Sequence, residues 1–258
     1  MSSQTVLILG AGGNTGVAVA KKFKEQGWRV ATASRSAAKD PLSQHTSLHI
    51  QADFTNPNSV VDAYQRAEQA LGIPNVVIYN AYAATFPKDP KHAFDSIPLD
   101  KFGEDLAVNV TSAYAALKSA VEGFERLPVD ATKVFIYTGN MSTGIIVPEA
   151  VVLGVGKNAV LYLVEAAVQL YGHLAARFYV GDERDRDGNS TMDKIDGEAH
   201  AVAYWELATS SEQGPINYTF VKGIGYKKFD VDRASRPVEG VQSLMKKAAD
   251  AVAARKES

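Results

Sequence analysis

Short apolar runs alternate along the chain with stretches whose apolar residues recur every three or four positions. The runs at 6–9, 29–33, 47–51, 76–79, 133–138, 175–180 and 216–221 predict seven strands, mostly buried. Helical spacing fills the gaps at 17–26, 58–71, 99–126, 148–172 and 195–209. In the second of these the pattern is Val60, Val61, Tyr64, Ala67 and Leu71, and Gly72-Ile73-Pro74 stops it. The stretch 99–126 reads as one long helix, and 85–98 as a loop, because Pro87, Pro90 and Pro98 oppose a long regular element. Steady alternation of strand and helix predicts an α/β fold: a doubly wound, mostly parallel seven-stranded sheet with helices on both faces. Residues 1–229 form one domain in this reading, and 230–258 a tail made of a link and a basic helix from 238 to about 255. The tail packs on a neighbouring subunit or stays mobile; the pattern does not choose.

Composition narrows the picture. The 258 residues are 46% hydrophobic, enough for a sizeable core, and the net charge of −2 predicts no general attraction to nucleic acid or an anionic membrane. There is no cysteine, so disulfides and thiolate chemistry are excluded. Five scattered histidines without ligand spacing predict no metal site. No run of about 18 consecutive apolar residues predicts a membrane span. The N-terminus enters the first strand directly, leaving no room for a signal peptide. The expectation is a cytoplasmic protein acting on a small molecule.

Chemistry concentrates where strands end. After 6–9 comes Gly10-Ala11-Gly12-Gly13-Asn14-Thr15-Gly16, and a helix follows at once. Strand, glycine turn and helix make a Rossmann-type nucleotide site: glycines allow a tight turn and close approach of a pyrophosphate, which rests on the helix N-terminus. At the end of the second strand stand Ser34 and Arg35, with no acidic residue between Trp28 and Lys39. An acidic residue there binds the ribose 2′-hydroxyl of NAD, whereas Arg suits the 2′-phosphate of NADP. Arg35 therefore indicates NADP, against the alternative of a solvated loop residue. Asp53, after the third strand, either accepts from the adenine amino group or serves the turn at 55–57. The strand-end rule brings in 80–82, 138–144 and 181–183 as well.

This constellation resembles the short-chain dehydrogenase/reductase family over about residues 5–229. Gly10 and Gly16 match the outer glycines of its Gly-x3-Gly-x-Gly motif, and Asn14 stands at the middle one. Asn80 and Ala81 match its Asn-Asn-Ala-Gly motif. Asn109, in Val108-Asn109-Val110-Thr111, matches its helical Asn, and Lys157 matches the Lys of Tyr-x3-Lys. The Tyr position holds Leu153, and the Ser position falls near Asn140, with Ser142 close by. The chain is similar in this to a set of fungal proteins of the fold that share the Gly-Val-Gly-Lys form. The resemblance implies that Lys157 holds the nicotinamide ribose. It also implies a role for Asn109, either in a water path to Lys157 or as a satisfied core amide. Leu153 has no proton to give, so the family's general acid is missing. Substitutes are Tyr82, Asp182 and Glu183, with Asn140 and Ser142 able to polarise a carbonyl; His200 and Tyr204, four apart on a helix, face a pocket or the core. Most of the charged run 182–187 reads as a solvated loop.

Three functions compete. One is an NADP-dependent reductase of a small carbonyl or imine. The second is a non-redox cyclase, isomerase or dehydratase using an apolar pocket of Tyr82, Phe86 and Trp205. The third is a non-catalytic NADP-binding regulator. The family resemblance and the nearly all-apolar helix at 148–172 imply a homodimer or homotetramer paired through 99–126 and 148–172.

Overall fold

The computed structural model describes residues 4–230 and 237–256. Among these, eight strands form one sheet in the order β3-β2-β1-β4-β5-β6-β7-β8. They are β1 (Thr5–Leu9), β2 (Arg29–Ser34), β3 (Leu48–Gln51), β4 (Val76–Tyr79), β5 (Val134–Thr138), β6 (Arg177–Arg184), β7 (Asn217–Val221) and β8 (Gly225–Tyr226). The first seven are parallel. The eighth, absent from the sequence reading, is a two-residue strand that turns back antiparallel on β7. It is too short to leave a period-2 pattern.

The helices are α1 (Thr15–Glu25), α2 (Leu42–His45), α3 (Pro57–Leu71), α4 (Ala93–Ser96), α5 (Leu99–Leu106), α6 (Ser112–Phe124), α7 (Val151–Tyr171), α8 (Gly197–Thr209) and α9 (Val241–Lys256). Local signals set their starts. The Asn56 side chain accepts from the Asn58 N–H at 3.1 Å, and Pro57 opens α3 with a preset φ. Asp196 caps α8 by accepting from the Ala199 N–H at 2.9 Å. One core lies between the sheet and α3, α6 and α7, and holds Leu7, Tyr79, Tyr137 and Phe178. The other, on the α1 and α8 face, holds Ile8, Phe23, Ile136 and Tyr204. The alternation of side chains along each strand supplies both.

The predicted helix at 99–126 is interrupted. Ala107–Thr111 forms a π turn between α5 and α6. Tyrosines on the adjoining strands use the carbonyls there: Tyr79 Oη donates to Val108 O at 2.5 Å and Tyr137 Oη to Asn109 O at 3.4 Å. A widened turn releases carbonyls from the i→i+4 ladder, and here the hydroxyls satisfy them. The predicted loop at 85–98 contains a 3-10 turn, Pro90–His92, and α4.

With its flanking turns, α7 spans Pro148–Leu174 and is long and apolar enough, at mean hydropathy 1.6, to cross a bilayer by length and composition alone. It instead lies on the sheet, with Val152, Val160, Leu161, Val164 and Ala167 buried. The larger correction concerns β6. It runs four residues beyond the predicted end, and Asp182, Glu183, Arg184 and Asp185 are buried rather than solvated. The link at 230–237 lies largely outside the described residues. Residues 237–256 pack on their own chain.

Candidate functional site

The glycine turn has the shape the sequence predicts. Gly10 has φ +87°, and a Cβ there would lie 2.6 Å from Ala81 Cα. At Gly16 a Cβ would meet the Ala11 backbone at 2.6 Å. Only glycine fits either position. Gly12 and Gly13 are the reverse: a Cβ on either meets nothing within 4 Å, so the turn presents open backbone to solvent. No side chain caps α1, whose first residue is Thr15. Uncapped N–H groups at a helix N-terminus suit an anion. Asn14, in the family's middle glycine position, ties the turn to α8. Its Nδ2 donates to Ile195 O at 2.9 Å and its Oδ1 accepts from the Gly197 N–H at 3.1 Å. Glycine at 197 favours this contact, because a Cβ would stand 2.6 Å from Asn14 Oδ1 and 3.0 Å from the Asn14 carbonyl, so Asn14 would have to shift. The sequence reading passed over Gly197, although a glycine at a helix start was its available signal.

At the end of β2, Ser34 Oγ donates to Ser36 O at 2.9 Å, and Arg35 is exposed. Asp53 takes the turn role: Oδ1 accepts from the Thr55 N–H at 2.9 Å and from Thr55 Oγ1 at 2.8 Å. These bonds, and to a lesser degree the Arg35 charge, hold its carboxyl below the usual carboxylate range. Asn80 Nδ2 donates to Gly10 O at 2.9 Å, so the loop after β4 is fastened to the glycine turn.

Asn109 is fully buried, and its amide bonds the Ala83 backbone twice. Oδ1 accepts from the Ala83 N–H at 2.9 Å and Nδ2 donates to Ala83 O at 2.7 Å. One N–H and one lone pair of the amide remain beyond these two bonds, so the geometry is compatible with both readings of Asn109, core amide and water path. Tyr82 is 68% exposed. The pocket of Tyr82, Phe86 and Trp205 does not form. Trp205 stacks edge-on with Phe23 and Trp28 on the α1 face, at 5.3 and 5.9 Å, while Phe86 is exposed.

Lys157 is buried on α7, with Nζ donating to Thr138 O at 2.6 Å and lying 4.5 Å from the Tyr137 ring centroid. Burial pulls its ammonium down to about 8, against the opposing charge of Asp182. Gly156 lets α7 approach the π turn, since a Cβ would lie 2.7 Å from Asn109 Cβ. Asn140 Oδ1 accepts from the Ser142 N–H at 3.0 Å, and Asn158 Nδ2 donates to Ser142 O at 2.9 Å. Asn140, Ser142, Thr138 and Lys157 thus converge at the carboxyl end of β5, one helical turn from Leu153.

Sequence reasoning missed how the charges on β6 and α8 are used. Asp182 and Arg184 form a buried ion pair, with Nε at 2.8 Å and Nη2 at 2.5 Å from Oδ2. Arg184 Nη1 also donates to Gly188 O at 2.9 Å. Behind them, Glu183 accepts from the Asp196 N–H at 2.8 Å and lies 3.6 Å from His200. His200 Nδ1 bonds Asp196 O at 2.9 Å, and burial lowers its pKa. Tyr204 is fully buried and donates to Thr138 Oγ1 at 2.8 Å; burial raises its pKa. His200 and Tyr204 are core residues. The only sequence signal for this network was the alternation of acid and base itself.

A parallel sheet with reversed strand order about β1, a glycine turn at that reversal and an uncapped helix behind it define a dinucleotide-binding fold. The pattern of a family described as enoyl-(acyl carrier protein) reductase matches residues 10–179. The short chain dehydrogenase/reductase dmxR12 of Cryptosporiopsis sp. (strain 8999) is 38% identical over 245 residues, covering 90% of this chain and 97% of that protein. The chain belongs to the short-chain dehydrogenase/reductase family. Two solved structures share its fold. The NADH-dependent reductase A1-R′, complexed with NAD, is 18% identical with a TM-score of 0.71, covering 85% of this chain and 93% of that one. A metagenomic short-chain oxidoreductase in complex with NADP is 15% identical with a TM-score of 0.69, covering 86% and 98%.

Proposed function

We propose that this chain is an NADP(H)-dependent reductase of a small carbonyl or imine, of a branch that works without the family's tyrosine. The observation that carries this reading is Lys157, a buried ammonium at the carboxyl end of β5, one turn along α7 from Leu153. The open backbone over Gly12 and Gly13 and the uncapped start of α1 fit a pyrophosphate. Gly10 and Gly16 hold the turn, with Asn14, Thr15, Asn80 and Ala81 around it. Ser34 and Arg35 would take the 2′-phosphate, and Asp53 borders the adenine end. When bound, the dinucleotide supplies a hydride. The chain's own part is positional. Lys157 would hold the nicotinamide ribose, and Ser142 and Asn140 border the place where a carbonyl is polarised. Leu153 supplies no proton, so the proton comes from water, or the substrate is an imine that already carries it.

The same reading extends to assembly and place. The outward face of α7 leaves Val155, Tyr162 and Leu170 exposed, and Tyr114 of α6 is half exposed. An apolar groove of about 190 Å³ between α4, α5 and the start of α7 continues that face. A homodimer or homotetramer, cytoplasmic, would bury it. Light scattering that returns a monomer mass removes the assembly half.

The experiment for the chemistry is stepwise. NADPH and NADH binding are titrated first, then NADPH oxidation against a panel of carbonyls and imines. Binding of NADPH with turnover of at least one compound is the expected result, and Leu153→Tyr should add ketone reduction. Failure of NADPH to bind at millimolar concentration ends the reading.

A further inference from the structure

The last described segment, 237–256, meets the two loops that leave the carboxyl ends of β5 and β6. It joins the first through the backbone. Ile146 N–H donates to Pro237 O at 2.9 Å and Glu239 N–H to Ile146 O at 3.0 Å, a parallel bridge of Ile146 with Val238. At the start of α9 the Val241 N–H donates to Glu149 Oε1 at 3.1 Å. Glu149 stands four residues before Leu153.

From α9, Leu244 then inserts into a third apolar cluster, separate from the two sheet cores. Met141, Ile145 and Val147 enter it from the β5–α7 segment, and Met192 from the β6–α8 segment. Leu244 is 1% exposed, as buried as any core residue. One wall it touches contains Ser142 and leads into Leu153 and Lys157. The other begins at Asp185, just after β6 ends.

We infer that residues 237–256 are the roof of the reaction cleft: Leu244 fixes the spacing of its two walls and so sets which substrates enter. A helix docked on only one loop would merely protect that loop. A helix wedged between both has a position that depends on the gap, and the gap is the width of the cleft. Two of the six apolar side chains clustered with Leu244 are methionines, whose unbranched thioethers adapt to irregular apolar shapes. The substrate class that fits is a carbonyl compound with an apolar aryl or alkyl body, and no charge on the part away from the reacting carbon. This substrate statement rests on the reductase reading. The statement about position does not.

The test uses the full chain with Leu244→Asp, Leu244→Met and, in case the first does not fold, Glu149→Ala, which removes the acceptor of the Val241 N–H. Amide hydrogen exchange is read without cofactor at 141–150 and 190–196. Leu244→Asp or Glu149→Ala should raise exchange about tenfold in both segments, with Leu244→Met close to the parent. Exchange that rises only within 241–250 overturns the roof. NADPH-dependent turnover is then compared for a short alkyl ketone and a bulky aryl ketone. The KM for the aryl ketone should rise about tenfold in the opened variant, with that for the short ketone within about threefold and kcat little changed. An equal rise for both overturns the specificity role. A parent that oxidises no NADPH sinks the reductase reading and the substrate class with it, while exchange still decides the roof.

Discussion

The Lys157 ammonium donates to the Thr138 carbonyl at 2.6 Å from inside the protein, its face on the Tyr137 ring. Burial holds its pKa near 8 instead of 10.5, with Asp182 opposing. Below pH 8 the lysine is charged in both the folded and the unfolded chain, so the folded state bears the whole cost, about 3 kcal/mol at 1.36 per unit. Between about 8 and 10.5 the folded chain releases the proton while the unfolded chain keeps it, and stability from this group rises. Lys157→Met removes the cost and also a hydrogen bond of about 1 kcal/mol. The variant should therefore be the more stable protein at pH 7, by about 2 kcal/mol, and lose that advantage by pH 10. Urea unfolding of both proteins across pH 7–10 reads it; a difference that stays flat with pH refutes the buried ammonium.

Asn109 grips Ala83 by both backbone groups, at 2.9 and 2.7 Å. Asn109→Ala would strand that N–H and carbonyl and open a cavity against Gly156, for a loss of about 2–4 kcal/mol. Coenzyme affinity should fall with it, because the loop carrying Asn80 and Ala81 is the part released. Unfolding and NADPH titration of the same preparation check both effects. Unchanged stability would mean that the amide has other partners.

How much of this was legible depended on whether a feature is local. The first βα unit, the strand alternation and Lys157 leave fixed spacings in the sequence, and all lie close to where those spacings put them. The end of β6 did not, because Asp182 to Asp185 have the composition of a solvated loop; the Asp182–Arg184 pair along the strand and the bond of Glu183 with Asp196 make them core. The docking of α9 rests chiefly on Leu244 and Ala248, too few apolar positions to name a partner. Asn14 could be aligned with a glycine of the family, but its bonds to Ile195 and Gly197 join residues more than 180 apart.

Two glycines of one turn should respond in opposite ways. Gly10→Ala forces a side chain into φ +87° and into the Ala81 backbone, so the variant should lose several kcal/mol or fail to fold. Gly12→Ala meets nothing and should change stability by less than about 1 kcal/mol. Its methyl, however, stands where a pyrophosphate would approach, and NADPH affinity should drop about tenfold or more. Normal NADPH affinity in a folded Gly12→Ala protein would move the nucleotide elsewhere.

Arg35 is exposed and touches the fold little, so exchanging it isolates the coenzyme preference. Arg35→Glu should leave the unfolding midpoint unchanged and weaken NADPH about tenfold to a hundredfold, the worth of one or two charge-assisted bonds. NADH should be affected far less. Calorimetric titration with both coenzymes gives the ratio, and equal losses would place the 2′-phosphate away from Arg35.

The Asp182–Arg184 pair permits a sharper test, since breaking a buried pair and replacing it are different perturbations. Arg184→Leu leaves a carboxylate that is 1% exposed without its cation, and Asp182→Leu leaves the guanidinium without its anion. Each should cost about 3–5 kcal/mol, whereas the double replacement by leucine should cost far less than their sum. Asp182 also supplies the charge that opposes the burial effect on Lys157. Removing it should push the lysine's titration below its present value near 8, and removing Arg184 alone should not. If the two single variants add, the two buried charges do not depend on each other. If they do not add but Lys157 keeps its titration, Asp182 serves the strand and not the site.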